Sequence, residues 1–185
     1  MADAARKPAT YDDLLKVPDH LVAEIVDGEL FTSPRPASRH ARTASGLAGK
    51  LVPAFDHGEG GPGGWWIIVE SELHLGEQTL VPDLAAWRRE RMPSYPDVAF
   101  FELAPDWVCE VVSPSTGRLD RVVKMPKYAA HEVRHLWLVD PSSRTLEVFG
   151  LERGRWVMLA THGGDETVHA EPFDAIGINL TPLWS

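Results

Sequence analysis

The stretch Asp106-Trp-Val-Cys-Glu-Val-Val112 limits the possible folds of this chain more than any other. From Trp107 to Val112 it is apolar except for Glu110, a composition that suits a strand buried on both faces. A carboxylate in such a strand is costly unless it is hydrogen-bonded, paired or bound to a metal ion. By the two-residue period of a strand, Glu110 shares a face with Val108 and Val112, while Cys109 and Val111 take the other. Cys109 therefore reads as core packing. It is the one cysteine in the sequence, which excludes an intrachain disulfide and any cysteine-built zinc site.

The neighbouring segments supply the rest of a sheet. Trp65–Val69, Leu80–Trp87 and His135–Asp140 have strand composition, and Asp83, inside the second run, is expected to be strand-borne and partly buried. "TLEVFGL" and "RWVMLA" read as a hairpin. A second hairpin is expected where "LVAEIV" turns into "ELFTSP" at Asp27-Gly28, a dipeptide suited to positive φ angles, with Glu24 inside its first strand. Thr10 and Asp13 have the spacing of a helix-starting capping box. From Ser38, apolar residues at Ala41, Ala44, Leu47, Ala48, Leu51 and Phe55 follow a helical period, and "RVVKMPKYAA" suits a helix despite Pro126. This order predicts an α/β domain, a mixed sheet with helices on its faces, occupying all 185 residues with 1–9 as a flexible tail.

Charge narrows the function. The net charge of −9 offers no broad basic footprint for tight non-specific nucleic-acid binding. A nuclease remains compatible, because its active site is itself a carboxylate cluster that takes a divalent cation before a phosphate approaches. No run approaches the ~18 apolar residues of a membrane span, and the N-terminus lacks an apolar leader segment, so a cytoplasmic protein is expected.

Two short patterns compete for the chemistry. His131-Glu-Val-Arg-His135 fits the H-E-x-x-H spacing of zinc proteases, which requires both histidines on one continuous helix. Here the second histidine opens a strand-like run, so the spacing loses its meaning. Of four Pro-Asp dipeptides, Pro82-Asp83 stands apart because apolar residues flank it on both sides. Asp97 also precedes Glu110 at a workable distance, in a loop-like setting.

The joint pattern "EIVDGELFTSPRPASRH", "VPDLAAW" and "APDWVCEVVSPSTGRLDRVVKMPKYA…VRHLWLVDP" resembles the Uma family of bacterial restriction endonucleases, within the PD-(D/E)xK nuclease superfamily. The resemblance runs from about Tyr11 to about Leu151 and implies a restriction-endonuclease-like core. It also implies that Asp83 and Glu110 hold magnesium, which manganese can replace, helped by a main-chain carbonyl near Val111 or Val112. The superfamily lysine would ordinarily stand at Val112. In this family it moves to the following helix, which assigns it to Lys124, four residues before Tyr128 and with Lys127 as substitute. Glu24 is similar to an extra N-terminal acid that supports the metal through water. The implied activity is DNA hydrolysis, with a homodimer expected for double-strand cleavage; the acidic net charge keeps open the alternative of a catalytically silent domain of the same fold that binds nucleic acid or protein. Asp120 and Lys124 otherwise read as a surface i,i+4 pair, and His40 as a phosphate contact or helix-start residue.

Overall fold

The computed structural model describes residues 7–184. Its centre is a six-stranded sheet in the order β10-β9-β8-β7-β6-β3, built from β3 (Trp65–Val69), β6 (Leu84–Arg88), β7 (Trp107–Val111), β8 (His135–Asp140), β9 (Thr145–Glu152) and β10 (Arg155–Gly163). Neighbours are antiparallel except β7 and β8, which run parallel. A parallel pair needs a crossover, and residues 113–134 provide it.

The strand alternation of β7 divides two cores. Trp107, Cys109 and Val111 face one layer, where Leu47, Leu51, Phe55, Phe173, Ile178 and Trp184 cover the sheet. Val108 and Val112 face the other, against Tyr128, Leu136 and Leu138 and the apolar side chains of a smaller sheet. That smaller sheet has the order β2-β1-β5-β4, from β1 (Leu21–Val26), β2 (Glu29–Pro34), β4 (Leu73–Leu75) and β5 (Gln78–Leu80). A short pair, β11 (Thr167–Val168) with β12 (Ile178–Asn179), closes the C-terminal layer. Both faces of the central strands β6, β7 and β8 are thus covered, as their apolar sequences require, whereas the edge strand β10 is largely exposed.

The expected hairpin turns at Asp27 (φ 51°) and Gly28 (φ 74°). Gly28 is required there twice over, since a Cβ would also stand 2.9 Å from Pro8. Ala9 N–H donates to Gly28 O at 2.8 Å, so the end of the expected tail lies on this turn, while residues 1–6 fall outside the described residues. The Asp13 carboxylate accepts from both the N–H and the hydroxyl of Thr10, starting the four-residue α1 (Tyr11–Leu14).

α2 (Ser38–Leu51) buries Leu47 and Leu51 as its period predicts, but Ala41 is exposed and Thr43 takes the buried place. The reason is polar: the Thr43 hydroxyl donates to Leu183 O at 2.7 Å, pinning the C-terminal segment to the helix. Beyond α2 the ladder widens to a π-turn over Val52–Asp56, with His57 N–H donating to Val52 O. A second π-helical stretch, Leu119–Lys124, precedes α3 (Met125–Ala130). The first contains Pro53 and the second leads into Pro126, prolines that cannot donate to a regular ladder and that the wider turn accommodates.

Leu80–Trp87 is not one strand. β5 ends at Leu80 in the small sheet, β6 begins at Leu84 in the large one, and Val81-Pro82-Asp83 crosses between them. Pro82 has no N–H for a ladder, so the break falls there. Asp83 consequently stands at the junction of the two sheets, partly buried but not within a strand. Among the described residues no helix is long and apolar enough to cross a membrane.

Candidate active site

A cleft of about 430 Å³ opens where the two sheets meet. Residues 33–37 and His40 form one wall, residues 113–116 and Leu119 the other, and Glu24, Asp83, Glu110 and Lys124 line it between them. Each of these four comes from a different part of the chain: β1, the β5–β6 junction, β7, and the π-helical crossover. Asp19 and Asp97 are exposed and Asp106 is buried, and none of these other Pro-Asp acids lines the cleft.

Lys124 is 2% exposed, so its ammonium must be satisfied internally. Nζ lies 2.8 Å from Glu24 Oε1 and 2.8 Å from Glu110 Oε1, and donates to Val81 O at 3.3 Å. Burial by itself would lower the lysine pKa; Glu110 and Glu24 outweigh it and hold it well above the ordinary value. Lys124 is therefore a fixed cation. The surface-pair reading of Lys124 with Asp120 is overturned, because both residues are buried and face the cleft. The alternative lysine, Lys127, is taken up by Asp27 at 2.6 Å outside the cleft.

Glu110 accepts a 2.6 Å hydrogen bond from the Tyr128 hydroxyl at the same Oε1 that faces Lys124. Burial raises its pKa well above the ordinary carboxylate value, with Lys124 opposing and Asp120, Asp83 and Glu24 adding to the rise. Glu24 Oε1 accepts the Val81 N–H at 2.7 Å in addition to facing Lys124. It thereby ties the lysine to the junction that carries Asp83. Asp83 Oδ2 accepts the Val111 N–H at 2.7 Å and lies 3.3 Å from His40 Nε2. Burial lowers the His40 pKa, but the bond to Asp83 and its charge outweigh this and the net direction is upward.

Asp83, Glu110 and Val111 all line the cleft, which brings two carboxylates together there. Among the described residues no group of three or more His, Cys, Asp or Glu side chains is placed to hold a metal ion. A two-carboxylate set suits magnesium, which binds through one or two carboxylates and otherwise keeps water and phosphate oxygens. It does not suit a structural zinc centre. The H-E-x-x-H histidines are split: His131 caps the end of α3 against Gly76, Glu132 has φ 59°, and His135 opens β8.

Three contributions exceed the sequence reading. His40 is both the third residue of α2 and a cleft residue facing Asp83, so its two readings are compatible. Tyr128 is fully buried and holds Glu110, a partnership foreshadowed only by its i+4 spacing from Lys124. Asp120 is a buried carboxylate of the cleft, 3% exposed; its spacing from Lys124 put it on the right face, but nothing in the sequence said that the face was buried.

A family model described as "Putative restriction endonuclease", Uma2, matches residues 8–182. Among solved structures, the chain is similar to a "putative nuclease belonging to DUF820" from Anabaena variabilis ATCC 29413, with a TM-score of 0.76 and 21% identity. That similarity covers 96% of this chain and 98% of the other, and at such identity it shows the fold: a nuclease-like mixed α/β domain. No match was found among curated proteins.

Proposed function

The chain belongs to the Uma2 family, and on that premise we propose that it is a magnesium-dependent nuclease hydrolysing phosphodiester bonds in DNA, acting on duplexes as a homodimer. One observation carries the reading: Asp83, Glu110 and Lys124, far apart in sequence, line one cleft together. Asp83, Glu110 and the Val111 carbonyl would hold the magnesium or manganese ion. When bound, the ion makes a bound water more acidic and offsets the charge that builds on the phosphate.

The remaining work falls to the chain. Lys124, held in its charged form by Glu24 and Glu110, orients the attacking water and stabilises negative charge on the phosphate. Tyr128 fixes the direction of Glu110. Glu24 positions Lys124 through its shared contact with Val81 N–H, beside the water-mediated support of the metal that the family resemblance implies.

The test is cleavage of plasmid and single-stranded DNA with Mg²⁺ or Mn²⁺ and with chelator, using wild type, Asp83→Ala and Glu110→Ala. Cleavage that needs the cation and both acids supports the proposal. Full activity in either variant refutes this site.

A further inference from the structure

Three of the four acids in the cleft are committed to partners. Glu24 is tied to Val81 N–H and Lys124, Glu110 to Tyr128 and Lys124, and Asp83 to Val111 N–H with His40 beside it. Asp120 differs. It is 3% exposed and lines the same cleft, yet among the described residues no Lys, Arg or His nitrogen lies within ion-pair reach of it. Its hydrogen-bonding neighbour is the Thr116 hydroxyl, on the wall formed by residues 113–116. It stands four residues before Lys124 on the crossover, so both present themselves to the cleft from one face.

A buried carboxylate without a cationic partner is costly, and such groups concentrate where chemistry uses them. Burial pushes the Asp120 pKa up to about 6, against the opposing influence of Lys124 and the Thr116 hydroxyl. Near neutrality it therefore carries a transferable proton part of the time. The other candidate donors are less suited. Lys124 holds its protons against two glutamates, and His40 faces the Asp83 carboxylate.

Hydrolysis of a phosphodiester expels an alkoxide, a poor leaving group until it is protonated. Resting on the nuclease reading, we propose that Asp120 is a further catalytic residue, the general acid that protonates the leaving oxygen. The water oxygen forms its bond to phosphorus as the bond to the leaving oxygen breaks with its electron pair. The Asp120 carboxyl proton passes to that oxygen, the water's proton is released to solvent, and the carboxylate is reprotonated from solvent.

The experiment compares two substrates with the full chain and Mg²⁺: a DNA oligonucleotide, and thymidine 5′-(p-nitrophenyl phosphate), whose nitrophenolate leaves without a proton. Asp120→Asn keeps the shape and removes the acid. It is expected to slow DNA cleavage by roughly 100-fold or more while slowing the activated diester by no more than about 3-fold. Asp120→Glu, which keeps an acid, is expected to recover part of the DNA cleavage. Equal losses on both substrates would overturn the proposal and make Asp120 a metal-site or folding residue. Undiminished DNA cleavage by the Asn variant would overturn it too. A wild-type protein that cleaves neither substrate would instead refute the nuclease reading on which the inference stands.

Discussion

Lys124 Nζ lies 2.8 Å from Glu110 Oε1, both groups buried, so the cation of this cleft is part of its foundation as well as of its chemistry. Removing one partner of such a pair leaves the other uncompensated. Lys124→Met is expected to cost about 3–5 kcal/mol by urea denaturation and to abolish cleavage. The deficit should grow with pH, because Glu110 must then ionise beside Glu24 with no counter-charge. A variant as stable as wild type would show that the pair contributes little.

Asp83 and Glu24 should separate cleanly in cation binding. Asp83 faces the cleft beside Val111, whereas Glu24 spends Oε1 on Val81 N–H and Lys124. Asp83→Asn is expected to weaken Mn²⁺ binding, followed by electron paramagnetic resonance, by on the order of 10–100-fold. Glu24→Gln should leave that affinity within about 3-fold while lowering the cleavage rate, since its effect passes through the lysine. Loss of Mn²⁺ binding in Glu24→Gln would make Glu24 a direct part of the metal site.

Asp120 also predicts a pH dependence of stability. Its folded pKa, about 6, is above the ordinary 3.8, so the folded state binds this proton more tightly than the unfolded chain. The stability linked to that proton is present below about pH 4 and is lost as pH rises to about 6. Glu110, also raised, acts in the same direction. Asp120→Asn should flatten the decline between these limits and be more stable than wild type at pH 7 by on the order of 1–3 kcal/mol. Denaturation curves with an unchanged pH slope would contradict this.

Cys109 offers an independent check of the core. It is fully buried on the Trp107 face of β7, and burial raises its thiol pKa well above the ordinary value. A disulfide reagent such as 5,5′-dithiobis(2-nitrobenzoate) should therefore label the native protein no faster than it unfolds. Rapid labelling would show that β7 is accessible.

Much of this was legible locally. Asp27-Gly28 announces its turn, Thr10 and Asp13 their cap, and the alternation around Glu110 separates the two cores, because turn chemistry and side-chain period act over a few residues. The position of Lys124 in the cleft was indicated only by family resemblance, since its own neighbourhood reads equally well as a solvated helix face. Pro82 was visible, but not that the chain would change sheets there.

What the sequence determined by itself was the set of elements and the anomaly of a carboxylate in an apolar strand. What only the tertiary structure decided was the company that carboxylate keeps: Tyr128 and Lys124 from the crossover, Glu24 from the first hairpin, Asp83 from the sheet junction. The division has a physical cause. Hydrogen-bond periodicity is set between near neighbours, whereas desolvation and charge pairing depend on which distant segments exclude water from a site, as they do when Asp120 and Lys124 turn from a surface pair into a buried acid and a buried cation.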